Sequence, residues 1–266
     1  MRRTSRIAAT FAAALLAAGH ASADQDTPYL ATITIERAAG MHGKLATSMS
    51  STLHVNDPAA TSGTLSQLDG LDVVSTGADT VRIRSQPRPT FRDPPGAQQL
   101  QSTWVVDYDE AAIRHLVQQL AARYGATPTP AELERFVFEH VHNKSYSRSF
   151  DLASRVAATG EGDCTEHAVL LAALARATGH AARVVVGNLI LERDDGLFAF
   201  GHAWTEIHDG EAWQIHDGTL PEDVPAYRQA RYIPLGRLTD EGPAYFLSLV
   251  TAMSAMPVRI SEVGSP

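Results

Sequence analysis

Residues 160–179 read GEGDCTEHAVLLAALARATG and contain the only cysteine of the chain, Cys164. Asp163 and Glu166 have the spacing of a capping box, in which each side chain accepts from the other residue's backbone N–H at a helix start. Cys164 is then the first helical residue, and Gly179 ends the helix. Alanine and leucine surround most of this helix, which predicts that it is buried at the centre of its domain.

The position of Cys164 predicts a reactive thiol. Free N–H groups and the macrodipole at a helix N-terminus favour negative charge, which predicts a lowered thiol pKa. The same N–H groups are candidates to hold a developing oxyanion. Gly160 and Gly162 precede the cysteine and allow the backbone to bend and approach closely. The alternative interpretation is a small, inert core cysteine.

Two later residues supply the partners that a thiol nucleophile needs. His202 lies in a predicted strand of alternating character, where it shares a face with Trp204. The dipeptide Asp209-Gly210 predicts a two-residue hairpin turn, and that register places Asp217 directly opposite His202. An aspartate at this position orients the imidazole and stabilises its charged form. The predicted catalytic residues are Cys164, His202 and Asp217, although a longer loop would change the register.

Other polar residues receive lesser roles. Glu166 is expected to be only the capping carboxylate, Tyr146 is a candidate oxyanion donor, and Trp204 is a candidate wall of the site. His140 and His142 are interpreted as helix-surface or packed residues, and His167 as structural. A zinc site is the rival hypothesis, although no familiar catalytic zinc spacing is present. Its candidate ligands are Cys164, His167, His202, His208 and His216. Of these, His216 is expected to face away from Asp217.

The first part of the 266-residue chain is predicted to be an export signal. Residues 1–23 contain three arginines, an apolar run too short to span a bilayer, and the small-x-small site Ala21-Ser22-Ala23. Its removal takes the net charge from −8 to −11. This predicts a periplasmic or secreted bacterial protein with no later transmembrane segment. An acidic export product is not expected to bind nucleic acid or an anionic membrane.

Residues 24–108 form a predicted β-rich region. Apolar and polar residues alternate at 31–35, 80–84 and 103–107, while 85–98 contain four prolines and are predicted to be a loop. A small β-domain or an extension of a sheet is expected here, without a catalytic constellation. A substrate-binding role is the alternative.

Residues 109–266 form the predicted catalytic domain. Two capped helices cover about 113–124 and 130–141, and an irregular stretch leads to the cysteine helix. Strands at 183–187, 198–208 and 212–217 follow, and a helix at 245–250 and a strand at 258–260 complete the chain. A helix followed by antiparallel strands indicates an α+β unit.

Three motifs resemble the bacterial transglutaminase-like superfamily over roughly residues 110–220. They are the cysteine helix with the strand Ala182–Gly187, then His202-Ala203-Trp204-Thr205-Glu206, then Trp213 followed by Asp217-Gly218-Thr219. The resemblance implies a papain-like α+β core and a Cys-His-Asp triad at Cys164, His202 and Asp217. The third motif of the family often reads Asp-Pro-Thr or Asp-Ala-Thr, whereas glycine stands at position 218 here.

The resemblance also implies chemistry at amide carbonyls. A peptide or protein substrate would form a thioester with the cysteine, and water or an amine would release it, as in a protease, amidase or cross-linking acyltransferase. No cofactor is expected, and the calcium used by some animal relatives has no visible loop here. A binding or scaffold protein that keeps the fold without turnover is the alternative function. The sequence does not indicate an oligomeric state.

Overall fold

The computed structural model describes residues 30–143 and 151–265. The predicted export signal at 1–23 lies outside these residues. Six helices occur in the described part: α1 Pro58–Leu65, α2 Ala111–Tyr124, α3 Pro130–His140, α4 Ala153–Thr159, α5 Cys164–Ala177 and α6 Gly242–Ser254. Across the same residues, none of them has the length and apolar character needed to cross a membrane.

Nine strands of the described chain form one curled sheet. The strands are β1 Ala31–Arg37, β2 Met49–His54, β3 Asp69–Thr76, β4 Thr80–Thr90, β5 Ala182–Arg193, β6 Gly196–His208, β7 Trp213–His216, β8 Arg231–Arg237 and β9 Arg259–Gly264. Their order is β3-β4-β2-β9-β1-β6-β5-β8, with β7 also paired to β6. The fold is the predicted α+β class, with the cysteine helix packed on the antiparallel strands β5 and β6. The pair β1–β9 is parallel.

The β-rich region before residue 108 extends this sheet. β1 lies between β6 and β9, so it joins the N-terminal strands to the strands that follow the cysteine helix. The chain after β4 also reaches β7, because the Trp213 N–H donates to the Phe91 carbonyl at 2.8 Å. N-terminal residues therefore come close to the β6–β7 hairpin. The boundary predicted at residues 108 and 109 stays a prediction.

The helix α5 forms the centre of the main core, as its composition predicts. Every residue from Cys164 to Arg176 is buried, and the apolar side chains pack with those of α2, α3 and α4. The predicted caps of α3 are present, since Thr129 and Glu132 form a reciprocal capping box with Pro130 at the helix start. This cap places the start of α3 where the sequence predicts it.

Three sequence-based assignments are wrong. The predicted strand at 103–107 is irregular, because the adjacent Val105 and Val106 are both buried in the helical core instead of alternating. The predicted loop at 85–98 begins with strand, since β4 continues to Thr90 through a bulge opposite β3. The stretch before Cys164, predicted to be irregular, contains the helix α4.

Candidate active site

Cys164 is the first residue of α5, and the predicted capping box holds it there. Asp163 Oδ1 accepts from the Thr165 N–H at 2.8 Å, and Glu166 Oε2 accepts from the Asp163 N–H at 3.0 Å. Gly162 is required by close packing, because a Cβ at this position would lie 2.2 Å from the Cβ of Glu166. The sequence before Cys164 therefore fixes the direction in which its side chain leaves the helix.

The Cys164 thiol is fully buried against β6. Burial raises its pKa well above the ordinary value, the carboxylates of Asp163, Asp217 and Glu166 raise it further, and a hydrogen bond with the backbone of Ala203 lowers it. The predicted lowering of this pKa is wrong in this state, because loss of water around the thiolate outweighs the favourable helix start. The raised pKa favours the neutral thiol, which contacts the backbone of residue 203.

His202 lies on β6 next to Ala203 and is completely buried. Its Nε2 and the Oδ2 of Asp217 are 2.7 Å apart, with both side chains inaccessible to solvent. Its Nδ1 is also buried and makes no hydrogen bond with any residue in the described ranges. With Asp217 bonded to Nε2, the imidazole is held as the Nε2–H tautomer, which leaves the lone pair of Nδ1 free to accept a proton.

The hairpin that brings Asp217 to His202 differs from the predicted one. Residues 209–212 form a four-residue loop, so His208 pairs with Trp213 and Thr205 with His216. The predicted register, with Asp217 opposite His202, is therefore wrong. The loop adds two residues, and a change of two in the register keeps every side chain on its face because the strand period is two. Asp217 consequently reaches His202 diagonally, just beyond the end of β7.

Donors hold both oxygens of the Asp217 carboxylate. Oδ2 accepts from His202 and from the Tyr232 hydroxyl at 2.9 Å, and Oδ1 accepts from the N–H groups of Thr219 and Leu220 at 2.9 and 3.2 Å. Burial raises the pKa of Asp217, but His202, the Thr219 backbone and Tyr232 lower it more, so that it lies below the ordinary value. The carboxylate is thus ionised and fixed in orientation.

Sequence reasoning missed three residues around Asp217. Glu134 of α3 is buried and accepts from the Asp217 N–H at 3.0 Å. Tyr232 of β8 donates to the carboxylate, and Arg88 of β4 lies over the Tyr232 ring at 5.0 Å. These contacts join segments far apart in the chain, so no local pattern reveals them.

The lesser candidates have other partners. The Nδ1 of His167 contacts the Asp163 carbonyl at 2.6 Å, and the Nδ1 of His216 contacts Glu134 at 3.3 Å. His208 packs edge-on against Trp213. In the described part of the chain, no three His, Cys, Asp or Glu side chains are arranged to hold a metal ion. The candidate oxyanion donor Tyr146 lies outside the described residues.

Comparison with known families assigns the segment that contains these residues. Residues 114–218 match the sequence model of the transglutaminase-like superfamily. This segment belongs to the transglutaminase-like superfamily. It includes Cys164, His202 and Asp217, whereas Arg88 precedes it and Tyr232 follows it. No curated protein matches the chain.

Several solved structures are similar to this chain. One is a Cytophaga hutchinsonii protein provisionally named a cysteine protease, with 12% identity, a TM-score of 0.44, and coverage of 77% of this chain and 78% of that one. Another is the periplasmic domain of TgpA from Pseudomonas aeruginosa, with 17% identity, a TM-score of 0.43, and coverage of 77% and 88%. The same domain bound to ethylmercury gives 18% identity, a TM-score of 0.41, and coverage of 79% and 90%.

Proposed function

We propose that the protein is a cysteine-dependent acyl-transfer enzyme that acts on amide or peptide carbonyls. Cys164 is the nucleophile, His202 moves the proton, and Asp217 orients His202. The observation that carries the proposal is the buried contact of 2.7 Å between His202 Nε2 and Asp217 Oδ2. Ala203, the next residue in the chain after His202, forms a backbone hydrogen bond with the Cys164 thiol. The structure records no hydrogen bond between Cys164 and Nδ1 of His202, so the proposal rests on a base that a carboxylate orients and that is the chain neighbour of the backbone contacted by the thiol. These are the parts that a nucleophilic triad needs.

The proton state of the pair defines the first step. Because burial raises the pKa of Cys164, the thiol keeps its proton until the substrate arrives. The sulfur then bonds to the carbonyl carbon while the thiol proton passes to Nδ1 of His202, and the imidazolium is stabilised by Asp217. This tetrahedral intermediate collapses when the imidazolium gives its proton to the leaving nitrogen, which departs as an amine or ammonia and leaves a thioester on Cys164.

The second step releases the acyl group. Water or an amine attacks the thioester carbonyl, His202 takes a proton from the attacking group, and that proton returns to the sulfur as the thioester bond breaks. Water gives a carboxylic acid, and an amine gives a new amide. Hydrolysis and transfer to an amine both fit the family. The experiment below identifies which acceptor, water or an amine, this protein uses.

The cap of α5 leaves one amide for the developing oxyanion. The N–H groups of Thr165 and Glu166 donate to the Asp163 side chain, and the His167 N–H donates to the Asp163 carbonyl. The N–H of Cys164 itself is the amide of this turn that the cap does not use. We assign it as one oxyanion donor, since a donor beside the nucleophile stabilises the charge that forms in the transition state.

The predicted export signal supports a site of action in the periplasm or outside the cell. The substrate class is then a peptide or protein of that compartment. Cys164 is fully buried. Residues around its sulfur must therefore move before a substrate can reach it.

The test uses hydroxylamine as the acceptor, because it converts a thioester into a stable hydroxamate. The wild-type protein is incubated with glutamine-containing and cleavable peptides, and hydroxamate, ammonia and new amino termini are measured. Cys164→Ala and His202→Ala are expected to abolish product. His208→Ala is the matched control on the same strand and is expected to retain the wild-type rate. If Cys164→Ala forms product at the wild-type rate, Cys164 is not the nucleophile; if no peptide gives product, the non-catalytic scaffold is the better assignment.

A further inference from the structure

Tyr232 contacts the proposed catalytic aspartate from outside the family match. It is fully buried on β8, and its hydroxyl donates at 2.9 Å to Oδ2 of Asp217, the same oxygen that His202 contacts. Its ring packs edge-on against Trp204 at 5.1 Å between centroids, and the ring of Trp204 lies 6.3 Å from that of His202. Tyr232 therefore touches both the carboxylate and the aromatic wall beside the imidazole.

Arg88 fixes Tyr232 from the opposite side. Its guanidinium carbon lies 5.0 Å from the centre of the Tyr232 ring, and its NH1 donates to the Ile215 carbonyl at 2.9 Å. Ile215 is two residues before Asp217, so one side chain holds both the tyrosine ring and the strand that leads to the aspartate. A cation over an aromatic face is attractive and restricts the position of the ring.

The chemistry of this arrangement favours a fixed donor. Burial and the neighbouring Asp217 carboxylate raise the pKa of Tyr232 well above its ordinary value, which keeps the hydroxyl protonated at neutral pH. The hydroxyl also helps to lower the pKa of Asp217. A second donor on Oδ2 restrains the rotation of the carboxylate and keeps it in line with Nε2 of His202.

We infer that Tyr232 and Arg88 are positioning residues for the His202–Asp217 pair, and that the N-terminal β-region acts in catalysis through Arg88. This inference rests on the proposed acyl-transfer function for its kinetic consequence, but the hydrogen bond itself is independent of turnover. The inference gives the region before residue 108 a role in the site. Arg88 supplies this role from the end of β4, where it lies between two prolines.

The first test needs no substrate and uses proton NMR of the full chain. The resonance of the His202 Nε2–H is assigned by its loss in His202→Ala. In Tyr232→Phe it is expected to move upfield, because the Asp217 carboxylate is no longer held in line with Nε2 and the hydrogen bond to His202 weakens. A downfield shift would show that Tyr232 only competes with His202 for Oδ2 and would overturn the inference. Tyr108→Phe is the matched control, since that hydroxyl donates to the Leu100 carbonyl, away from the pair. An unmoved resonance in Tyr232→Phe overturns the inference.

Arg88 provides a second variant on the same readout. Arg88→Ala is expected to shift the resonance in the same direction by a smaller amount, because Tyr232 remains but its ring is held less firmly. Arg92→Ala is the matched control, because Arg92 pairs with Asp69 on the exposed side of the same region. If Arg88→Ala leaves the resonance in place, the role assigned to the N-terminal region is wrong, even where Tyr232→Phe fails to fold.

The second test is kinetic and follows the substrate found with hydroxylamine. Tyr232→Phe is expected to lower kcat about tenfold with KM unchanged, the size of one hydrogen bond to a charged group. The acid limb of its rate profile moves to higher pH, because Asp217 loses a group that lowers its pKa. The other ionisable groups around Asp217 are His202 of β6, Cys164 of α5, Arg88 of β4 and Glu134 of α3. The rate profiles of Arg88→Ala and Glu134→Gln show how far the last two contribute to the acid limb.

A double-mutant cycle distinguishes positioning from general support. If Arg88 acts through the Tyr232 hydroxyl, Arg88→Ala lowers kcat in the wild type but by less than half that factor in Tyr232→Phe. Full additivity, or an equal fall in kcat and rise in KM, overturns the positioning role. If the wild type is inactive on every peptide, the proposed function fails while the NMR result still decides whether Tyr232 and Arg88 position the pair.

Discussion

Replacement of Asp217 by asparagine tests how the site sets the proton on His202. The carboxylate accepts four hydrogen bonds, two on each oxygen. If the asparagine oxygen keeps the two backbone donors of Thr219 and Leu220, its NH₂ group faces His202 Nε2. The imidazole must then present a lone pair at Nε2 and carry its proton on Nδ1, where it can no longer accept the thiol proton.

The expected loss follows from this change of tautomer. In a serine triad, the same substitution lowers kcat by about 10⁴. Asp217→Asn is therefore expected to lower hydroxamate formation by about 10³–10⁴, or about 4–5.5 kcal/mol of transition-state stabilisation. Stability is expected to fall by about 1–3 kcal/mol, since one buried donor loses its acceptor. The rate, the unfolding midpoint and the His202 Nε2–H resonance are measured together, and this resonance should disappear.

Asp209→Asn is the matched control for this experiment. Asp209 begins the neighbouring loop and accepts from two backbone N–H groups and a glutamine side chain, but it does not touch the site. It is expected to keep the wild-type rate. A folded Asp217→Asn protein that works within tenfold of the wild type would refute the assignment of Asp217 as the group that orients His202.

Three further predictions concern stability. Burial raises the pKa of Glu206 to about 7 despite its pairing with an arginine. As the pH rises from about 4.5 to about 7, this carboxyl ionises only in the unfolded chain, so the stability should fall over that interval. Glu206→Gln should flatten this slope in urea unfolding. Gly218→Ala places a Cβ 2.8 Å from Val137 Cγ1, and we expect it to lower the free energy of unfolding by about 1–3 kcal/mol. A double variant with Val137→Ala should recover part of this loss. Strict additivity of the two changes in thermal unfolding would contradict the clash. Gly162→Ala should lower the free energy of unfolding by more than about 2 kcal/mol, because its Cβ clashes with the capping Glu166. Gly63→Ala is the control and should raise the melting temperature, since a Cβ there meets no atom within 4 Å inside α1. Equal effects of the two variants would refute the close-packing argument.

The local features of the fold could be predicted because each depends on a few adjacent residues. The capping boxes at Thr129 and Asp163 bond within one helical turn, and both are present. The strand pattern around His202 has a period of two that survives any even shift of register. The contact between His202 and Asp217 was therefore predictable from parity even though the turn was not.

One failed prediction has a local cause, and the others depend on long-range packing. The Asp209 side chain accepts from the backbone of residues 211 and 212 and so stabilises a four-residue loop in place of the tight Asp-Gly turn. Val105 and Val106 are adjacent and both buried because helices enclose them, which an alternating pattern does not anticipate. The burial that raises the pKa of Cys164 is likewise a property of the complete core.

The second layer of the site was out of reach for the same reason. Tyr232 and Glu134 lie 15 and 83 residues from Asp217 along the chain. Arg88 belongs to a proline-containing segment predicted to be a loop, and only the curled sheet brings it to the hairpin. The composition of these segments carries no sign of the role that the folded chain gives them.

The most direct measurement of the central claim is the mass of the protein after rapid acid quenching during reaction with a glutamine-containing or cleavable peptide. We predict a covalent acyl adduct on Cys164 that hydroxylamine removes, that is absent in Cys164→Ala, and that forms far more slowly in His202→Ala than in His208→Ala. No adduct on the wild type, or an adduct that persists in Cys164→Ala, would contradict the assignment of Cys164 as the nucleophile.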